Sequence, residues 1–174
     1  MKKILLTLFL GLSLSGFSQT TLIPDPNFEQ ALIDLGYDSP PINGSVPTAN
    51  ISGVETLEVS DKSITDLTGI EDFNSLGVLN CNQNQLTSLD VTNNTALWEF
   101  KCSENQLTSL DVTNNTALKR LYCENNNLTS LDVTNNNALE RLYCDNNNLT
   151  SLDGVNNTAL IELWCNNNQL TSLD

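Results

Sequence analysis

The sequence contains no histidine and few basic residues. Against 7 lysines and arginines stand 21 aspartates and glutamates, which gives a net charge of −14 over 174 residues. Without imidazole, the chain cannot form a serine–histidine or cysteine–histidine nucleophile pair, or a histidine-containing zinc site. An acidic surface of this strength also repels nucleic acid and anionic membranes. We therefore predict a protein that is not an enzyme, has no cofactor or metal, and binds no nucleic acid.

Long apolar runs are scarce as well, and the clearest one lies at the amino terminus. Lys2 and Lys3 precede an apolar-rich run over residues 4–14, and the small residues Gly16 and Ser18 precede Gln19. This pattern is typical of a secretory signal peptide over residues 1–18. The run is shorter than the roughly 20 residues of a membrane-spanning helix. The sequence thus predicts a secreted or cell-surface protein without membrane insertion.

A 21-residue repeat dominates the remaining sequence. The motif LxxLxCxxNxL recurs in five coils, for example with Leu118, Leu121, Cys123, Asn126 and Leu128, and Phe100 is its single departure from leucine. An earlier coil follows the same pattern at a 22-residue offset, with valine in place of cysteine and lysine in place of asparagine. A fixed period of this length indicates a stack of similar structural units, each of which needs its neighbours to bury its apolar side.

The motif resembles the leucine-rich repeat, LxxLxLxxNxL. Residues 66–76 (DLTGIEDFNSL) resemble the internalin type, and the later coils, such as SLDVTNNTAL at residues 88–97, resemble repeats of secreted Bacteroidetes surface proteins. The resemblance covers residues 24–174 and implies an α/β repeat solenoid. This is a leucine-rich-repeat horseshoe with a parallel β-sheet on the concave face, short turns or 3₁₀ pieces on the convex face, and a small N-terminal helical cap.

These patterns divide the chain into a signal peptide over residues 1–18, a cap over 19–53 and leucine-rich repeats over 54–174, about six coils with the last incomplete. In the cap we expect one helix over residues 24–38, with Asp25 as N-cap and Pro26 at the first helical position, and a loop over residues 39–50. In the coils we expect short strands centred on the Leu-x-Cys pairs, at residues 78–82, 99–103, 120–124, 141–145 and 162–166.

The asparagines and cysteines of the motif are predicted to be structural. An inward amide has the donors and the acceptor needed by backbone groups where each coil turns, so we expect an asparagine ladder at Asn84, Asn105, Asn126, Asn147 and Asn168. The cysteines hold an apolar position of the motif and are expected to pack as buried free thiols, at Cys81, Cys102, Cys123, Cys144 and Cys165.

Other uses of these side chains stay open at this point. The odd number of cysteines would also allow an intermolecular disulfide, and a row of thiolates would also bind a soft metal. The repeated Asp90, Asp111, Asp132 and Asp153 suit turns next to the strands, or a carboxylate row that binds calcium.

The outward strand positions differ between coils, whereas the convex side is nearly constant. Tyrosine, tryptophan and arginine are the residue types enriched in binding hot spots. The candidate ligand-binding residues are therefore Lys101, Arg120, Tyr122, Arg141, Tyr143 and Trp164. The alternative is that the rings merely shield the sheet and that the arginines pair with Glu124 and Asp145.

These observations favour a non-catalytic recognition or adhesion module that binds an extracellular protein or glycan through the concave face. Two other functions remain: a structural spacer or stalk at the cell surface, and an accessory module of a larger enzyme. The oligomeric state does not follow from the sequence.

Overall fold

A computed structural model describes residues 19–171 as a repeat solenoid. The predicted signal peptide lies outside these residues. Six short parallel strands form one sheet in the order of the chain, with one strand from each successive coil. Two further strands and two helices precede the sheet, where the sequence predicts a cap with a single helix. The solenoid with its parallel sheet confirms the predicted fold class.

The strands of the large sheet each have three residues and pair in register, coil after coil. Their bounds are Thr56–Glu58 for β3, Val78–Asn80 for β4, Glu99–Lys101 for β5, Arg120–Tyr122 for β6, Arg141–Tyr143 for β7 and Glu162–Trp164 for β8. The central residue of each strand faces the core and its two neighbours face outward. Equivalent residues of all coils therefore stand in straight columns across the sheet.

The five strands begin at the predicted residues, but each ends two residues earlier than predicted. Backbone pairing continues past the strand, since Cys81 N–H donates to the carbonyl of Lys101 at 2.9 Å. The chain then turns at one residue per coil in the left-handed region, with φ between 54° and 56°, at Gln83, Glu104, Asn125, Asn146 and Asn167. This turn ends each strand and directs the chain to the opposite side of the coil.

The opposite side of each coil is made of turns, as predicted, with one 3₁₀ helix at Ile70–Asp72. The core between the two sides is continuous from the cap to the later coils. It contains the leucines and cysteines of the motif, which are only partly buried in the last coil, together with Phe28, Phe73 and Phe100, which are fully buried.

The cap is more elaborate than predicted. Helix α1 spans Pro26–Asp34, shorter than the expected 24–38. The predicted loop over residues 39–50 instead contains strand β2 (Ser45–Pro47), which pairs antiparallel with β1 (Thr20–Leu22), and helix α2 (Thr48–Ile51) begins there. These elements are too short for periodicity in the sequence to reveal them.

One carboxylate joins the cap to the first coil. Asp25 Oδ1 accepts hydrogen bonds from the N–H groups of Asn27 at 2.8 Å and Phe28 at 3.0 Å, as an N-cap does. Its Oδ2 accepts from Thr65 N–H at 2.8 Å and from Thr65 Oγ1 at 2.7 Å. Although burial opposes ionisation, the hydrogen bonds from Thr65, Phe28 and Asn27 keep the pKa of Asp25 below its usual value.

We expect Asp25→Ala to lower the free energy of unfolding by about 2 kcal/mol at neutral pH, because both the helix cap and the link to Thr65 are lost. The folded-state pKa of Asp25 is depressed, so its contribution is complete above the unfolded-state pKa and disappears as the pH falls through the folded-state value. The difference in stability between the unsubstituted protein and Asp25→Ala should therefore shrink at low pH, which urea unfolding of the two proteins between pH 7 and pH 2 measures. Asp34→Ala, at an exposed position of the same helix, serves as the control. Equal losses for the two variants would contradict the account.

Candidate functional site

The asparagine of the repeat motif links each coil to the one before it. Asn105 Oδ1 accepts a hydrogen bond from Leu86 N–H at 3.0 Å, and its Nδ2 donates to the carbonyls of Cys81 and Cys102, both at 3.1 Å. The same two kinds of bond recur at Asn84, Asn126, Asn147 and Asn168. These side chains are saturated by the backbone and are part of the scaffold.

A second asparagine ladder lies on the convex side, and the sequence analysis did not identify it. Asn115 is fully buried, and its Nδ2 donates to the carbonyls of Val91 and Asn94, both at 2.9 Å. The equivalent bonds, each to two carbonyls of the preceding coil, are made by Asn94, Asn136 and Asn157. The asparagine before each of them is exposed, so the doublet in the sequence combines one core residue with one surface residue.

The cysteine side chains form a column of free thiols behind the sheet. Four are buried, and Cys165 in the last coil is partly exposed. Burial raises the pKa of Cys81 and of Cys144 to about 12, so these thiols stay protonated and unreactive at neutral pH. Across the described residues, no group of three histidine, cysteine or acidic side chains is arranged to hold a metal ion.

The repeated aspartates bond to their own turns. Asp90 Oδ1 accepts from Thr92 Oγ1 at 2.6 Å and from Thr92 N–H at 2.9 Å, and Asp111 and Asp132 repeat the arrangement. Asp153 accepts from the N–H of Val155. The threonine hydrogen bonds lower the pKa of the first three carboxyl groups. Each aspartate is thus part of a local turn.

Aromatic side chains run in one column along the outward surface of the six-stranded sheet, here called the strand face. The rings of Tyr122 and Tyr143 meet edge to face with centroids 4.9 Å apart, and Tyr143 stacks on Trp164 with centroids 4.8 Å apart and planes 10° apart. Lys101 Nζ lies 5.9 Å from the ring centroid of Tyr122. The indole of Trp164 remains 50% exposed, so the column ends in an accessible aromatic surface.

The basic residues of the strand face bind glutamates of the same face. Glu99 accepts from Lys101 Nζ at 2.7 Å and from an Arg120 guanidinium nitrogen at 2.8 Å, and Arg141 Nε lies 3.3 Å from Glu162. Burial opposes the ionisation of Glu99, but these two cations keep its pKa below the usual value. The alternative prediction that the arginines pair with Glu124 and Asp145 is wrong, because the carboxylates in their own column are nearer.

The column on the other side of the rings holds Ser103, Glu124 and Asp145. Ser103 is 3% exposed, and within residues 19–171 neither its Oγ nor the buried Oε2 of Glu124 has a hydrogen-bond partner. Burial raises the pKa of Asp145. The structure thus brings all six candidate binding residues onto one face, next to two carboxylates that the sequence analysis considered as partners of the arginines.

Comparison with solved structures finds leucine-rich-repeat proteins. The functional domain of InlJ from Listeria monocytogenes, which includes a cysteine ladder, is 38% identical over 90% of this chain and 36% of that chain, with a TM-score of 0.83. An internalin, InlF, from the same species is 23% identical over 87% of this chain and 46% of that chain, with a TM-score of 0.78. A leucine-rich-repeat protein of Leptospira interrogans is 26% identical over 74% and 36% of the two chains, with a TM-score of 0.68.

The chain therefore spans less than half the length of each of these three proteins. No protein-family model and no curated protein matches the sequence. Within residues 19–171, no helix has the length and apolar character that a membrane crossing requires.

The asparagine ladder makes a specific prediction about stability. Asn126→Ala leaves Leu107 N–H and the carbonyls of Cys102 and Cys123 without their side-chain partner, so we expect a loss of about 3 kcal/mol in the free energy of unfolding. The neighbouring Asn127 is exposed, and Asn127→Ala should change it by less than about 0.5 kcal/mol. Urea denaturation followed by circular dichroism compares the two. Similar stabilities for both variants would show that the ladder is not structural.

A matched pair of substitutions examines the cysteine column. Cys123 is fully buried, and Val59 holds the equivalent position of the first coil. We expect Cys123→Val to cost less than about 1 kcal/mol, whereas Cys123→Ser buries a hydroxyl among apolar side chains and costs about 2 kcal/mol. Thermal unfolding of both variants decides the point. A greater loss for valine than for serine would indicate a polar or ligand-binding role for the thiols.

Proposed function

The chain is a leucine-rich-repeat protein, and we propose that it is a non-catalytic recognition module that binds an extracellular protein through its strand face. Leucine-rich-repeat folds of the internalin type are typically protein-interaction modules. The proposal includes export by a signal peptide over residues 1–18, a cap over 19–53 and coils over 54–174.

The observation that carries the proposal is the aromatic column on the strand face. Tyr122, Tyr143 and Trp164 are large side chains at outward positions, where the coils differ in sequence while their convex turns are nearly identical. Scaffold requirements account for the leucine, cysteine and asparagine positions, which all point inward. Aromatic side chains that are partly exposed in one continuous row supply the large contact area and low conformational entropy that binding hot spots require.

A structural spacer at the cell surface is the second candidate function. It is favoured by the near-identity of the convex turns, which suits indefinite stacking. A spacer needs no particular side chains on the strand face, so the two functions differ in what substitutions there would do. An accessory module of a larger enzyme that binds nothing by itself would, like a spacer, yield no binding partner for these substitutions to affect.

We expect the triple variant Tyr122→Ala, Tyr143→Ala and Trp164→Ala to weaken binding to a protein partner at least about 30-fold, the effect of losing a hot spot worth 2 kcal/mol. A displayed library of extracellular protein domains supplies the partners, and biolayer interferometry on each isolated binder measures the affinity. A displayed glycan panel measured in parallel separates protein from carbohydrate recognition.

The control replaces three exposed residues away from the strand face whose side chains make no hydrogen bond within residues 19–171: Thr108→Ala, Thr129→Ala and Thr150→Ala. This control should bind every partner with unchanged affinity. If the aromatic triple variant also keeps its affinity for every partner, the strand face is not the binding surface and the proposal fails.

A further inference from the structure

The cations of the strand face are already neutralised within that face. Lys101 and Arg120 share Glu99, and Arg141 lies against Glu162. A partner therefore meets basic residues whose charge is largely cancelled by adjacent carboxylates. This arrangement does not favour an acidic ligand, although the face carries three basic residues.

The carboxylates on the other side of the aromatic column lack such partners. Among the described residues, no ion pair reaches Glu124 or Asp145. Ser103, which precedes Glu124 in the same column, is 3% exposed, and its Oγ has no hydrogen-bond partner in the described part of the chain. The Oε2 atom of Glu124 is likewise buried without a partner there. Buried acceptors without donors are costly, and because Glu124 and Asp145 are themselves only half-buried, a donor from a partner can reach this column.

The three oxygen-bearing side chains lie close together and close to the rings. Successive members of a column are one strand spacing apart, about 4.8 Å, and Glu124 and Asp145 follow Tyr122 and Tyr143 by two residues, about 7 Å along the strand. A cation placed between the two columns would lie beside both the carboxylate oxygens and the tyrosine side chains. The ammonium group of Lys101 lies 5.9 Å from the ring centroid of Tyr122, so the aromatic column already has a positive charge at one end.

We propose that the strand face recognises a basic segment of its protein partner and seats an arginine side chain against Glu124, Asp145 and Ser103, beside the tyrosine rings. A guanidinium carries five donors in a planar fork and stacks on aromatic rings, which matches both the unpartnered acceptors and the adjacent aromatic column. The net charge of −14 also attracts a basic partner from a distance. This inference rests on the proposed function, since it names the chemistry of the partner of that same face.

The test uses the whole chain and a synthetic peptide of alternating glycine, serine and arginine residues. A second peptide replaces every arginine by citrulline, which keeps the shape and removes the charge. Isothermal titration calorimetry should show binding of the arginine peptide, at least about 10-fold weaker binding of the citrulline peptide, and loss of affinity as salt is raised. Failure of the arginine peptide to bind, or equal binding of both peptides, would overturn the proposal.

The paired variants are Glu124→Gln with Asp145→Asn on the strand face and Asp34→Asn with Glu55→Gln, both exposed, elsewhere. Each pair removes two negative charges. We expect the first pair to weaken binding of the arginine peptide at least about 10-fold and the second less than about 2-fold. Because Glu124 and Asp145 form no ion pair among the described residues, the first pair should also leave the melting temperature unchanged or raised. A lower melting temperature with unchanged peptide affinity would show a structural role and contradict the proposal.

The aromatic triple variant distinguishes failure of the arginine site from failure of the proposed binding function. If that variant loses binding to the isolated protein partners while the Glu124→Gln, Asp145→Asn variant keeps it, the strand face is the binding surface but the arginine site is wrong. If neither variant changes binding to any partner, both the site and the proposed function fail.

Discussion

The structure depends on the side-chain amide of the motif asparagine in each of the five cysteine-containing coils. A coil that leaves the sheet after three residues turns sharply, and this exposes backbone N–H and C=O groups inside the protein, where water cannot satisfy them. Asn105 answers both needs at once, because its oxygen accepts from the preceding coil and its nitrogen donates to two carbonyls. A residue that only donates, such as lysine, or only accepts, such as an ionised aspartate, would leave part of the turn unsatisfied.

Such bonds reach from each coil to the one before it, so they fix the spacing and register of the stack. The sequence period follows from this requirement, and so do the columns on the strand face. Tyr122, Tyr143 and Trp164 touch one another because their coils are held in register, and Glu99 meets Arg120 across neighbouring strands for the same reason. The inward columns provide stability, and the outward columns are left to vary between coils.

The solenoid and its inward columns could be predicted from the sequence, because the same structural requirement recurs in every coil and produces the repeat. Inward leucines, cysteines and the motif asparagines follow from period and alternation alone. The second ladder at Asn94 and its equivalents was missed because an asparagine doublet is also what a surface turn requires. The partner of Arg120 was misassigned because two columns of the strand face both offer carboxylates and spacing alone does not rank them. Strand β2 and helix α2 are single copies of only a few residues, without a repeat to reveal them.

The central claim is that asparagine side chains hold neighbouring coils together as one cooperative stack. Hydrogen–deuterium exchange tests it most directly at the amides of Leu86, Leu107, Leu128 and Leu149, which donate to the asparagines of the following coils. The account predicts that Leu86, Leu107 and Leu128 are among the slowest amides of the protein and exchange together through a shared opening of the stack. Fast and mutually independent exchange at these amides, at rates close to those of exposed turns, would contradict it.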